Sequence, residues 1–209
     1  MKRGPVVTVV DYGMGNVWSV ISALRYLGAE AELVADPDIV GKSGVIVLPG
    51  VGSFRKAMEI LRARGIHEAI TDAVYAQGSK ILGICLGMQL MGSHGTEDGD
   101  TVGLGLLPHR VECFTPDELG NKKIPHIGFN SVCFSEKSGL FRDIPELSDF
   151  YFVHSYRMLV GNFQGRYATC SYGVEFLASF QVDRICGTQF HPEKSQTNGL
   201  ILLRNFLEL

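Results

Sequence analysis

Apolar residues along this chain follow two rhythms, and the change comes after Met91. In the first part, short apolar runs rich in Val and Ile alternate with stretches whose apolar positions recur at helical spacing. Val6–Val10 is such a run and predicts a buried first strand. Trp18–Leu27 places Val20, Ile21, Leu24 and Leu27 on a helical period, and Gly28 stands where a helix commonly ends. Ala31–Val34 predicts a short strand, and Asp36-Pro37 opens a short connection or a helical turn. Val45–Leu48 predicts another buried strand, after which Ser53 is placed to cap a helix running through about Arg62. Ile66–Ala76 reads as helix, and Gly78 punctuates it. Ile81–Ile84 reads as a strand that ends abruptly in Gly83-Ile84-Cys85-Leu86-Gly87, where a helical pattern begins. This alternation predicts an α/β fold: an open, mostly parallel sheet with helices on both faces.

Beyond Met91, Ser93–Gly99 is polar and loop-like. His109–Phe114, His126–Phe134, Phe150–Tyr156, Tyr167–Ser171, Phe176–Val182 and Ile185–Phe190 are strand-like pieces. Turns such as Tyr172-Gly173 and Val182-Asp183 separate them, and together they predict an antiparallel extension of the sheet. Asn198–Leu207 closes the pattern with an apolar-periodic helix. No repeat, low-complexity run or linker interrupts the chain, so residues 1–209 read as one domain.

Composition changes this picture mainly by exclusion. Of 209 residues, 45% are hydrophobic and 20% charged, with a net charge of −3. That suits a folded domain with a substantial core, and no basic stripe invites nucleic acid. No apolar run approaches the roughly 18–20 residues of a membrane span. The opening MKRGPVVTVVDYG has two basic residues, but its apolar run is short and meets Asp11. It reads as a first strand rather than a signal peptide. Cys85, Cys113, Cys133, Cys170 and Cys186 are odd in number and form no CxxC pair. They suggest neither a disulfide framework nor a zinc site, and the expectation is a reducing, cytoplasmic compartment.

Candidate chemistry gathers at strand ends. Glycines two residues before and two after Cys85 mark a sharp strand-to-helix turn that lifts a nucleophile clear of the backbone. The helix dipole at such a turn favours a thiolate. Six histidines compete to be its base. His67, His94 and His109 sit in polar or strand-edge settings, whereas His191 follows the strand end Gly187–Phe190 and opens His191-Pro192-Glu193. Proline holds the preceding residue extended, and in extended chain positions i and i+2 share a side. Glu193 then lies beside the imidazole, completing a nucleophile, a base and an orienting carboxylate. The Leu86 N–H and the Gly50–Gly52 loop supply candidate oxyanion donors. Asp11–Asn16 contains a GxG, but no third glycine completes a dinucleotide fingerprint.

Several of these motifs together resemble the class I (triad) glutamine amidotransferases. They are Gly83–Gln89 and Gln189–Ser195, with Asp11–Asn16, Leu48–Phe54, Pro125–Asn130 and Tyr151–Tyr156. Within that family the six stretches are similar to the glutaminase subunits of imidazole glycerol phosphate synthases. The resemblance implies a flavodoxin-like amidotransferase fold and no cofactor. It implies that Cys85 attacks the glutamine side-chain amide while His191, oriented by Glu193, shuttles the proton, yielding glutamate and ammonia. Gln89, Glu97, His154, Ser155 and Tyr156 match positions that hold the amino-acid end of glutamine. Val51 and Gly52 match an oxyanion strand that rearranges on activation. The implied partner is a (β/α)8-barrel cyclase subunit, paired as a heterodimer. It receives ammonia through a dry passage and makes imidazole glycerol phosphate and aminoimidazole carboxamide ribotide in histidine biosynthesis. Tyr12, Asn16, Phe129 and Lys194 match the partner-facing positions, with Phe129 where the family usually carries Trp. Three competing readings are a paralogous subunit feeding amidino-sugar synthesis, a stand-alone Cys-His hydrolase of γ-glutamyl peptides, and a non-catalytic binding or regulatory subunit on the same fold.

Overall fold

A computed structural model describes residues 4–209, so Lys2 and Arg3 of the opening motif lie outside the described residues. The first part alternates as its apolar pattern predicts. It runs through β1 (Val6–Val10), α1 (Val17–Tyr26), β2 (Glu30–Val34), α2 (Pro37–Val40) and β3 (Val45–Gly50). It continues through α3 (Phe54–Ala63), α4 (Ile66–Tyr75), β4 (Lys80–Cys85) and α5 (Leu86–Leu90). The Asp36-Pro37 junction is a helical turn, because the Asp36 carboxylate accepts from Asp38 N at 2.9 Å and proline takes the first helical position.

The second part holds β5 (His94–Gly95), β6 (Thr101–Val102), β7 (Arg110–Cys113), α6 (Pro116–Leu119), β8 (His126–Phe134) and β9 (Ser148–His154). Then come β10 (Tyr156–Met158), β11 (Arg166–Tyr172), β12 (Val174–Val182), β13 (Ile185–Thr188) and α7 (Gln196–Glu208). The main sheet has nine strands in the order β2-β1-β3-β4-β13-β12-β11-β8-β9. The pairings β1–β2, β1–β3, β3–β4 and β4–β13 are parallel, and the remaining ones are antiparallel.

Both faces of the parallel half are covered, which explains its near-continuous apolar runs. Val7, Val9, Val47, Leu82 and Ile84 face Val20, Ile21 and Leu24 of α1 and Leu202, Leu203 and Phe206 of α7. Val10, Ile46, Leu48 and Ile81 face α3, α4 and α5 through Phe54, Met58, Ile66, Ile70 and Leu86. Each such fully buried side chain contributes roughly 1.5–3 kcal/mol over leaving it in water.

Four expectations need correction. Ile185–Thr188 belongs to the antiparallel extension on one side only: β13 pairs antiparallel with β12 and parallel with β4, joining the two halves of the sheet. The stretch His109–Phe114 leaves the main sheet, because β7 joins a second, four-stranded sheet ordered β10-β7-β5-β6. The Phe150–Tyr156 piece is two strands, broken at Ser155, with β9 in the main sheet and β10 in the second. The polar Ser93–Gly99 loop contributes β5 to that small sheet. Thr115-Pro116-Asp117-Glu118 forms a capping box at the start of α6, a signal carried by the sequence and not read there. Among the described residues no helix is long and apolar enough to cross a membrane.

Candidate active site

The turn at the end of β4 has the geometry its glycines predict. Cys85 sits at φ 54 and ψ −109, a conformation L-residues rarely adopt, and α5 starts at the next residue. Strain of this kind costs roughly 1–3 kcal/mol and persists only where surroundings impose it. Here they do. A Cβ on Gly83 would come within 2.7 Å of the Gly87 backbone, and one on Gly87 would run into the Leu48 carbonyl of β3. The two glycines let α5 lie directly on β3 and β4, and that contact holds the bend at Cys85. The register pairs Gly50 with Cys85, so β3 ends beside the sulfur and hands the chain to Val51 and Gly52.

His191 arrives from the end of β13. Its backbone is extended at φ −96 and ψ 98, and its N–H donates to Tyr151 O at 2.9 Å. Ser195 braces the same corner, donating its hydroxyl to His191 O at 2.6 Å and accepting from Tyr151 N at 3.0 Å. The imidazole Nδ1 lies 2.8 Å from Glu193 Oε1, and the two side chains are 3% and 1% exposed. The carboxylate makes Nδ1 the donor and leaves Nε2 free. Among the described residues neither Nε2 nor Glu193 Oε2 has a hydrogen-bond partner. Glu193 reaches the ring from a 3₁₀ turn, Pro192–Lys194, rather than from the extended chain that the i, i+2 argument assumed. Burial disfavours the charged ring, but Cys85 and Glu193 together outweigh it and hold the His191 pKa up at about 9. Thiol, imidazole and carboxylate are thus brought together from positions about a hundred residues apart.

A cleft of about 320 Å³ opens beside the sulfur. Val51, Gly52, Cys85, Leu86, Gln89, Glu97, His154, Ser155 and Tyr156 all line it, joined by Pro125 and Val153. The break between β9 and β10 puts His154, Ser155 and Tyr156 at the corner where the two sheets meet. Glu97 Oε2 accepts from Phe54 N at 2.9 Å, so this carboxylate also caps the start of α3. Burial raises its pKa, with the Phe54 N–H pulling the other way. Gln89 Nε2 donates to Tyr156 O at 2.9 Å and to Gln189 Oε1 at 3.0 Å. Behind the wall, His154 Nδ1 donates to Tyr156 O at 2.9 Å and its Nε2 accepts from His126 Nδ1 at 3.1 Å. Burial depresses both rings, His154 to about 3 and His126 to about 4, so both are neutral at physiological pH.

The four partner-facing expectations divide. Asn16, Phe129 and Lys194 are exposed outside the cleft. Tyr12 is not a surface residue: it is 1% exposed, its hydroxyl packed over Gly50 within the core under α5. Burial first, and then the neighbouring Cys85, push its phenol pKa far above the usual range. Three further residues carry the site without having been singled out by the sequence. Gln189 reaches the sulfur at 3.8 Å, His126 backs His154, and Tyr151 stacks edge-on to Phe129 with ring centroids 5.5 Å apart. An amide beside Phe190 at the end of an uncharged strand, Ile185–Thr188, was the available signal for Gln189.

Known proteins resemble this chain in sequence and in fold. The family model for glutamine amidotransferase class-I matches residues 8–209. The imidazole glycerol phosphate synthase subunit HisH 1 of Parasynechococcus marenigrum is 45% identical over 202 residues, covering 96% of each chain. The corresponding HisH subunit of Moorella thermoacetica is 43% identical over 203 residues, 97% of this chain and 94% of that one. Two solved structures share the fold. PurLQS from Thermotoga maritima has a TM-score of 0.75 at 17% identity, covering 98% of each chain. A glutamine amidotransferase has 0.71 at 18% identity, covering 96% of this chain and 97% of that one. A strained cysteine turn, a buried histidine–carboxylate pair and a matching sequence over nearly its whole length place this chain in the class-I glutamine amidotransferase family.

Proposed function

We propose that the chain is the glutaminase subunit of an imidazole glycerol phosphate synthase, releasing ammonia for a (β/α)8-barrel cyclase in histidine biosynthesis. The observation that carries this reading is the cleft itself. Its walls bring together the candidate oxyanion and glutamine-binding residues, with the Cys85 sulfur in the floor and the His191–Glu193 pair beside it. Cys85 gives its thiol proton to His191, forming imidazolium, and the Sγ attacks the side-chain amide carbon of glutamine. The oxyanion is received by the Leu86 N–H and by the 51–52 peptide, each donor contributing about 3–4 kcal/mol to the transition state. The C–N bond breaks as imidazolium gives its proton to the leaving nitrogen, and ammonia departs. His191 takes a proton from water, which attacks the γ-glutamyl thioester and frees glutamate and the thiol. Gln89, Glu97 and the 154–156 corner hold the amino-acid end.

Ammonia in water is mostly ammonium and no longer nucleophilic, so a dry route to the acceptor is required. An exposed aromatic and cationic face supports a partner here. Phe129 is 52% exposed, Tyr151 packs against it, and Lys194 Nζ lies 5.8 Å from the Tyr151 ring. Phe129 offers apolar area there without the N–H of tryptophan. Five free cysteines, the candidate nucleophile Cys85 among them, suit a reducing cytoplasm. The test is to mix the chain with a candidate barrel cyclase and follow glutamate release with and without the cyclase's ligand. Low activity alone and strong stimulation in the loaded complex are expected. Rapid unstimulated turnover, with hydrolysis of γ-glutamyl peptides, would replace this reading by a stand-alone hydrolase.

A further inference from the structure

The sulfur's surroundings contain a donor with no part in the triad. Gln189 is wholly buried at the end of β13, and its Nε2 stands 3.8 Å from Cys85 Sγ. The orientation of this amide is fixed by proton accounting. Tyr156 O is a backbone carbonyl and only accepts. Gln89 therefore turns its nitrogen to Tyr156 O at 2.9 Å, and the second hydrogen of that nitrogen goes to Gln189 at 3.0 Å. The Gln189 atom receiving it must be the oxygen, which leaves the Gln189 nitrogen facing the sulfur. Flipping either amide would bring two acceptors or two donors face to face. A glutamine present only to fill space is costly in a core, because its amide must be desolvated and its rotamers frozen. Among the described residues the Gln189 amide nitrogen donates to the sulfur alone. The α5 helix that begins after Cys85 has five residues and few aligned peptide dipoles, so individual donors matter more here than the sequence suggested.

We propose that Gln189 is the hydrogen-bond donor that holds the Cys85 sulfur as an acceptor and ties it, through Gln89 and Tyr156, to the wall that receives the amino-acid end of glutamine. The inference rests on Cys85 being the nucleophile. It implies that both amide hydrogens of Gln89 are committed internally, so only Gln89 Oε1 meets the substrate. A ligand that pulls on Gln89 shifts the acceptor end of Gln189 and is felt at the sulfur.

The experiment is alkylation of the full chain with iodoacetamide across pH, with the Cys85 peptide followed by mass spectrometry. Gln189→Met keeps the length of the side chain and removes the donor. Loss of one bond to a charged acceptor predicts alkylation about tenfold slower at neutral pH. At strongly alkaline pH the parent and variant rates converge to within about twofold, because there the sulfur is ionised without help. Gln189→Glu keeps the shape and replaces the donor by an acceptor, so it falls further at neutral pH and recovers likewise. If Gln189→Met does not fold, Gln89→Met carries the test, since it removes the group that orients the Gln189 amide. Its expected loss at neutral pH is about threefold. An alkylation profile that keeps the parent's pH dependence in a folded variant overturns the proposal. Failure of the underlying reading is seen separately: Cys85→Ala would then leave glutamate release in the cyclase complex intact.

Discussion

At the scale of single residues, the site is built on strain at one position and charge at another. Cys85 holds its side chain in a positive-φ bend, and any residue with a Cβ inherits the penalty. Cys85→Ala and Cys85→Gly should both abolish glutamate release, yet differ in stability. Glycine releases strain of roughly 1–3 kcal/mol and gives back about 0.5–1 kcal/mol in unfolded-chain entropy. The glycine variant is therefore expected to be the more stable in urea, by about 1 kcal/mol. Equal or reversed stabilities would remove strain from the account. His191 behaves differently. Its pKa is raised in the folded chain from 6.5 to about 9, so the native state binds the proton more tightly than the unfolded one. The stabilisation is complete below pH 6.5 and is lost as pH rises through about 9. Glu193→Gln removes one of the charges that hold the ring protonated. Its stability deficit against the parent should be largest near neutrality and shrink toward pH 10, as read by urea titration across that range.

At the scale of elements, the elbow depends on a helix pressed onto two strands. Gly87→Ala drives a methyl group into the Leu48 carbonyl and must push α5 off β3. The expected destabilisation exceeds about 3 kcal/mol, at the upper end for one methyl group, because backbone rather than a flexible side chain is in the way. A change below about 1 kcal/mol would show the contact to be looser than described. The same scale shows what the sequence made legible. Runs such as Val6–Val10 and Val45–Leu48 are apolar on both faces, so a buried parallel half could be read directly. The cysteine turn was equally plain, since its two glycines stand at fixed offsets from Cys85. Pairing partners in the second half were not readable. Short strands such as Arg110–Cys113 and Ile185–Thr188 carry too few residues to show a pairing pattern, and their choice of sheet is decided by neighbours remote in the chain. Tyr12 was misplaced for a related reason. A tyrosine in a glycine-rich turn reads as exposed, and only the approach of β3 and α5 covers it. Gln189 escaped notice because its role exists only opposite Gln89 and Cys85.

At the scale of the molecule, opposing titrations bracket a stability optimum. His126 and His154 have pKa values depressed from 6.5 to about 4 and about 3. Their contribution is present above pH 6.5 and is lost as pH falls through those values. With His191 acting on the alkaline side, the unfolding midpoint in urea should be highest near neutral pH and fall on both flanks. His126→Phe should flatten the acid flank and leave the alkaline one. The exposed face makes a separate prediction. Phe129→Ala removes a half-exposed ring and should change the stability of the chain alone by less than about 0.5 kcal/mol. It should nonetheless weaken pairing with the cyclase by about tenfold or more, measured by titration calorimetry. Unchanged pairing would move the docking surface elsewhere.

The parallel insertion of β13 between β4 and β12 has a consequence for biosynthesis. The sulfur of Cys85 is translated about a hundred residues before the imidazole of His191. A chain that has not yet gained β13 and the residues after it therefore carries the thiol without its base.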